Sequence, residues 1–388
     1  MAGRSRLGKL GCAALLAVCG TILALVLAEI VVRIFVPQVL LHDPDAFIPD
    51  PTLGARLKPG FDDRVVTSEF ASTWSINEDG HRGPRVGPKD ATVTRIVALG
   101  DSFTFGYGVE EEQAWPRRLE AILGEGGAGG RAEVVNLGVG GYGTWEETRY
   151  LEEQRARLAP ALALVAFYVG NDPQDNRRWY PPVPVFAEGD TPAGDAGADR
   201  VERLKRWLSA RLHLYNLIAS RGDELLVRTG LRRLVYPFEI DVLRSPPPES
   251  VEAAWEATGA AFTMLTHMQQ SGLAIRVVLV PMRHQVDDAF WKRLTTQYES
   301  LAGASAVRAL DRNRPQRIVE DLLLAAKIES FDLLPGLRQE ARNSPEPLYW
   351  SRDQHWTPAG HAAAARLIAA RLRSEGLVIS KESPPAKP

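Results

Sequence analysis

The stretch that decides the fold is Arg95–Gly108, "RIVALGDSFTFGYG". Four apolar residues, Ile96 to Leu99, run directly into Gly100, Asp101 and Ser102, and more glycine follows. A short continuous apolar run reads as a strand buried on both faces, the kind that parallel sheets use. Ligand groups in open α/β sheets collect just beyond the carboxyl ends of such strands. An acid and a serine at that position make Ser102 a candidate nucleophile. The rest of the chain must then supply a base, an acid and oxyanion donors.

Three more runs share this texture: "AEVVNLG" (132–138), "LALVAFYVG" (162–170) and "AIRVVLVPM" (274–282). Helical patterns over 113–123, 144–158, 251–271 and 285–302 alternate with them. That alternation predicts an α/β sandwich around a parallel sheet. Residues 173–250 break the rhythm with a polar, Pro-rich loop and then an amphipathic helical pattern from Val201 to Leu231. The segment is too long for a bare connection and reads as an insertion, either a lid or a packing decoration. Residues 37–93 are rich in Pro, Asp and Gly and read as a membrane-proximal stalk with a few strands. "EGGAGG" near 125 reads as a flexible turn, and 380–388 as a disordered tail.

Polar or glycine clusters fall at the ends of all four expected strands. They are Gly100-Asp101-Ser102, "NLGVGGYGT" (136–144), "VGNDPQDN" (169–176) and "RHQ" (283–285). Asp353 and His355 precede a strongly helical segment near the C-terminus. A serine hydroxyl needs a base, usually His, and an acid holds that imidazole in the right tautomer. The oxyanion needs donors aimed at it. The N–H of Ser102, a glycine N–H from the second cluster and the Asn171 amide are the candidates.

These blocks together resemble the SGNH (GDSL-type) hydrolases, over roughly residues 94–375 with the insertion unmatched. The resemblance implies a three-layer, flavodoxin-like α/β/α fold and esterase or acyltransferase chemistry without a cofactor. Position by position, Ser102 resembles the nucleophile, His355 the base and Asn171 an oxyanion donor. In the second block Gly141 matches best, with Gly138 the runner-up. The commonest family pattern is Asp-x-x-His, whereas Arg352 stands three residues before His355 here. The sequence reads Asp353-Gln354-His355-Trp356, similar to a membrane-anchored branch that includes polysaccharide O-acetyltransferases.

Bland readings compete at each position. Ser102 suits a helix N-cap. His361, just inside a helix, is the rival base, but no acid stands two or three residues upstream. Asp172, Asp175 and Asn176 match no metal-binding loop, and no metal is expected. Gly138, Gly140 and Gly143 match G-x-G-x-x-G, yet no acid follows at the spacing a dinucleotide site needs. Arg283 and His284 end a strand on the active-site side, and Trp145 and Trp356 flank site motifs as either packing or a sugar-stacking wall.

A net charge of −2 offers no basic face for nucleic acid. The uncharged run Leu10–Ala28 follows Arg4, Arg6 and Lys9 and is long enough to cross a bilayer. The basic flank predicts a cytoplasmic N-terminus and an extracytoplasmic remainder. A cleaved signal peptide is the rival reading, with Val26 and Ala28 suiting a cleavage site. Glu29 and Arg33, one turn apart, are expected to pair at the membrane boundary. Cys12 and Cys19 are the only cysteines, so the exported part carries neither thiol nor disulfide.

The expected domains are an anchor over 1–36, the stalk over 37–93, the hydrolase over 94–379 and the tail. The expected activity is removal of a small acyl group, acetyl first, from a carbohydrate or small ester. O-acyl transfer, with a membrane partner supplying acyl groups, is the alternative, and a non-catalytic anchored scaffold is the third reading.

Overall fold

A computed structural model of the chain describes residues 2–36, 38, 46–67, 69–90, 92–124, 131–179, 204–205, 207–209, 211–228 and 238–377. The glycine-rich turn near 125, the tail 380–388 and much of the polar loop after Trp179 lie outside the described residues. The chain separates into two compact units, one of residues 1–43 and 186–233, the other of 44–185 and 234–388.

The larger unit is built on a five-stranded, all-parallel sheet. Its strands are β5 (Val93–Gly100), β6 (Arg131–Asn136), β7 (Leu162–Tyr168), β8 (Ala274–Val280) and β9 (Ser330–Asp332), in the order β6-β5-β7-β8-β9. This is the flavodoxin-like doubly wound order, whose switch point lies between β5 and β7. Every residue of β7 is buried, which is why its sequence shows a continuous apolar run and no alternation. Helix α3 (Trp115–Gly124) packs on the helix Pro358–Ser374. Helix α4 (Thr144–Leu158) packs in a second group with the helices Glu249–Gln270 and Arg314–Ala326. The result is the expected α/β/α sandwich.

Four strands precede the sheet as two antiparallel hairpins. They pair β1 (Phe47–Asp50) with β2 (Gly54–Leu57), and β3 (Asp62–Val66) with β4 (Ala71–Ser75). The stretch read as a stalk therefore contributes Leu53, Leu57, Val65, Trp74 and Ile76 to the hydrophobic core. Buried Arg82 ties it further to the sheet unit. Its guanidinium donates to the carbonyls of Thr73, Phe105, Gly106 and Val109, at 2.6–2.9 Å. Burial pushes its pKa down to about 10, and the charges of Glu110, Glu111 and Glu112 oppose the fall.

The smaller unit holds helix α1 (Ala2–Phe35), of which Leu15–Phe35 is long and apolar enough to span a membrane. It also holds the helix His213–Arg228. The amphipathic pattern read from Val201 is not one helix, because the chain leaves helical geometry at Arg211 and Leu212.

Candidate active site

The site forms where β5 and β7 end. Gly100 turns the chain sharply into the short helix α2 (Ser102–Phe105), with φ at +150°. A Cβ there would stand 2.0 Å from Thr104 Oγ1 and 3.1 Å from the Ala166 carbonyl of β7, so only glycine fits. Asp101, not Ser102, caps α2, its Oδ1 accepting from Phe103 N at 2.8 Å. The Ser102 hydroxyl is thereby left for another partner. It lies 2.7 Å from His355 Nε2.

His355 and Asp353 come from a tight turn held by hydrogen bonds from Trp350 N to His355 O (2.8 Å) and from Gln354 N to Trp350 O (3.2 Å). Asp353 Oδ1 accepts from His355 Nδ1 at 2.6 Å and from His355 N at 3.2 Å. A carboxylate on Nδ1 fixes the tautomer with Nε2 as acceptor, facing the serine. Gln354 adopts a left-handed conformation, φ +72°, sparsely populated for a residue with a side chain. That reversal folds the two-residue Asp-x-His spacing so that Asp353 reaches the imidazole. The departure from Asp-x-x-His is therefore accommodated by the backbone.

Burial alone would lower the His355 pKa. The Asp353 hydrogen bond and the charges of Asp353, Asp101 and Glu239 outweigh it and leave the pKa raised. The imidazole is flanked by Phe103 and Tyr107, with ring centroids 5.0 and 4.8 Å away. His361, the rival base, is fully buried in the core, where its Nδ1 accepts from Trp115 N. Burial pushes its pKa down to about 3.

Around Ser102 the expected donors divide. Gly138 has its N–H committed to Asn136 Oδ1 at 2.9 Å. It is a glycine for close approach, since a Cβ would meet Phe105 N at 2.2 Å. No acceptor among the described residues meets the Gly141 N–H. Asn171 stands at the amino end of α5 (Asp172–Asn176), where its side-chain amide opposes the burial-driven rise of the Asp101 pKa. An amide nitrogen carries two hydrogens, which a substrate oxygen can accept.

Several carboxyls near these strand ends are buried. Asp101 is raised to about 6, first by burial. Glu147 is pushed well up by burial and then by the charges of Asp101, Glu146 and Asp175, and Asp172 by burial and then by the charges of Glu147, Asp101 and Asp175. Neither Glu147 oxygen has a hydrogen-bond partner among the described residues.

Other residues singled out from sequence have structural surroundings. Trp356 is fully buried and packs edge-on against Phe103 and His361. Trp145 stacks on Trp179 at 4.5 Å with the rings nearly parallel. Arg283 donates to the carbonyls of Trp350 and Ser351, bracing the turn that carries Asp353. His284 is buried, and its pKa is pushed down to about 3 by burial and then by the Arg312 charge.

Two site residues escaped the sequence reading. The Glu69 carboxylate, just before β4, accepts from Ser351 N, Ser351 Oγ, Arg352 N and Asp353 N at 2.5–2.9 Å, clamping the turn. Glu239, from the short helix Phe238–Asp241, accepts from Tyr168 Oη at 3.4 Å and adds its charge to the field at His355. Neither stands in a recognisable motif, so no local signal pointed to them.

The profile of the GDSL-like Lipase/Acylhydrolase family matches residues 98–363. This chain belongs to that family. The matched span of this GDSL-like acylhydrolase starts at Ala98 in β5 and ends in the helix Pro358–Ser374, so it contains Ser102 and the Asp353–His355 turn. Family membership makes it an ester-hydrolysing enzyme by class.

Solved structures similar to it include a lipolytic protein of the G-D-S-L family from Desulfitobacterium hafniense. That pair is 13% identical with a TM-score of 0.35, over 71% of this chain and 98% of the other. A catalytic mutant of an acetylxylan esterase from Geobacillus stearothermophilus shows 13% identity and a TM-score of 0.36, over 73% and 94%. A two-domain esterase active on acetylated mannans shows 11% identity and a TM-score of 0.40, over 76% and 52%. No curated protein matches the chain.

Proposed function

We propose that this protein is a membrane-anchored serine esterase that removes short acyl groups, acetyl first, from a carbohydrate or small ester outside the cytoplasm. The observation that carries the reading is the unbroken hydrogen-bond chain from Ser102 Oγ through His355 to Asp353, at 2.7 and 2.6 Å. His355 Nε2 takes the hydroxyl proton as Ser102 Oγ attacks the ester carbonyl, and Asp353 stabilises the imidazolium. The N–H groups of Ser102 and Gly141 and the Asn171 amide receive the oxyanion. The alcohol leaves with the proton from His355. Water, deprotonated by His355, then attacks the acyl-enzyme and releases the acid. A sugar hydroxyl in place of that water turns the same steps into O-acyl transfer.

The anchor reading rests on the apolar helix Leu15–Phe35, and its orientation on the basic residues before that helix, of the kind that favours a cytoplasmic N-terminus. The acetyl and carbohydrate parts rest on the resemblance of the Asp-x-His-Trp motif.

The test is hydrolysis of p-nitrophenyl acetate by the full chain in detergent micelles, beside Ser102→Ala. The expected outcome is activity in the parent and a loss of at least ~10³-fold in the variant, which stays folded by circular dichroism. Equal activity in the two overturns the serine mechanism. Added sugar acceptors separate transfer from hydrolysis by the appearance of acylated sugar.

A further inference from the structure

The smaller unit holds an observation that esterase chemistry does not use. Glu29 lies inside the apolar span Leu15–Phe35. A lone carboxylate there is costly and is normally paired. Here it is satisfied three times over. Arg33 Nη2 donates to Oε1 at 3.0 Å, as the spacing predicts. The backbone N–H groups of His213 and Leu214 donate to Oε1 and Oε2 at 3.1 and 2.8 Å. Those are the first two residues of the helix His213–Arg228, so a residue of the span closes the amino end of a helix from the insertion. Arg33 also donates to Arg211 O, and His213 Nδ1 accepts from Gln38 N at 2.8 Å. Ala28, Glu29 and Val32 form the shielded side of α1, and α1 packs on the helix His213–Arg228.

This fixes depth. Glu29 stands six residues before Phe35, which is about 9 Å along a helix. Interfacial helices bury their apolar faces roughly 5–10 Å into the headgroup boundary. The segment attached to Glu29 has the matching composition. Residues 201–234 carry eight Lys and Arg against three Asp and Glu, in a chain of net charge −2. Leu204, Trp207 and Ile218 are more than half exposed or close to it, at 56%, 50% and 61%. They belong to the same unit as the exposed Ile34 and Phe35 of the anchor.

We propose that the described stretches 204–205, 207–209 and 211–222 of the insertion form a membrane-docking element. They lie in the outer interface of the bilayer that α1 spans, with Leu204, Trp207 and Ile218 in the acyl boundary and the basic side chains on anionic headgroups. The inference rests on the anchor reading of the preceding subsection. It assigns this part of the insertion to the lipid surface and not to a lid.

The test is electron paramagnetic resonance on the full chain in phosphatidylcholine–phosphatidylglycerol vesicles, in a Cys12→Ser, Cys19→Ser background. Nitroxides are placed singly through Leu16→Cys, Lys205→Cys, Trp207→Cys and Ile218→Cys. Relaxation by lipid-soluble oxygen is compared with relaxation by a water-soluble nickel chelate. The expected oxygen-to-nickel ratio at 207 and 218 is severalfold that at 205. It falls to the level of 205 when Glu29→Ala is added. Water-like ratios at 207 and 218 beside an oxygen-rich Leu16 site overturn the docking alone. A water-like Leu16 site overturns the anchor and the docking with it. Spin–spin broadening at 207 or 218 assigns the face to a second copy of the chain and also overturns the proposal.

Discussion

In the turn Trp350–His355, each carboxylate is surrounded by donors. Glu69 accepts four hydrogen bonds, and Asp353 Oδ1 accepts two from His355. At the start of α4, Glu147 is fully buried where Glu69 and Asp353 are only partly so, yet no donor among the described residues reaches it. The chemical group is the same and the consequences are opposite. With donors, the carboxylate is held in one place, and that of Asp353 orients an imidazole. Without them, burial and neighbouring acids hold the group protonated. Donors thus fix a carboxylate in place at the turn, and their absence costs stability at the sheet's carboxyl edge.

The strongest way to break this contrast is Asp353→Asn. The amide cannot stabilise the imidazolium or enforce the tautomer, so kcat should fall by about 10³–10⁴-fold. A sign is attached. His355 must be neutral to act as base, so activity is lost as pH falls through its raised pKa, and the acid limb of the profile should lie above the ordinary value of about 6.5. Removing the Asp353 charge lowers that pKa, so the residual activity of the variant should have its acid limb at lower pH. An unmoved limb would show that Asp353 does not set the His355 pKa.

Glu69→Ala should come next. It removes the clamp on the turn but no group in contact with substrate. The expected loss is about 10–100-fold in kcat with KM nearly unchanged, the scale of a misplacement near 1 Å. Restoration by Glu69→Asp or Glu69→Gln would separate clamping from a general loss of fold. An Ala variant with parental kcat would mean that Arg283 holds the turn alone.

The smallest effect is the most diagnostic of the buried side. Glu147 has a folded pKa above its unfolded value, so the folded state binds the extra proton and stability falls as pH rises from about 4.3 towards the folded pKa. Glu147→Gln removes that loss. Its advantage over the parent should grow by up to about 1.4 kcal/mol per pH unit in that window, read as unfolding midpoints in urea at pH 5 and pH 8. A constant difference at the two pH values would place an unseen donor or water on Glu147.

The comparison also shows where sequence reading ends. His355 and His361 stand six residues apart. The nearby acid favoured the first, and the structure separates them by an Asp353 contact and a core position against Trp115. Trp356 borders the same motif yet is wholly buried. Glu69 meets residues more than 280 positions away, so no window of sequence contains both partners.

The sequence by itself determined what depends on local pattern. Continuous apolar runs marked β5, β6, β7 and β8, because strands buried on both faces cannot alternate. The order of short polar clusters after those strands marked Ser102, Asn171 and the Asp353–His355 pair. An uncharged run marked the helix that is apolar enough to span a membrane. Only the tertiary structure decided the rest. β9 is three half-buried residues with no apolar run, and it exists because β8 offers it an edge. The hairpins before β5 are polar and short, and their place in the core depends on packing against Arg82 and Phe105. Glu29 reads as a polar interruption of an apolar segment until His213 and Leu214 are brought to it. Periodicity reports which face of an element is buried, while partners far apart in the chain are chosen by the closing of the fold around them.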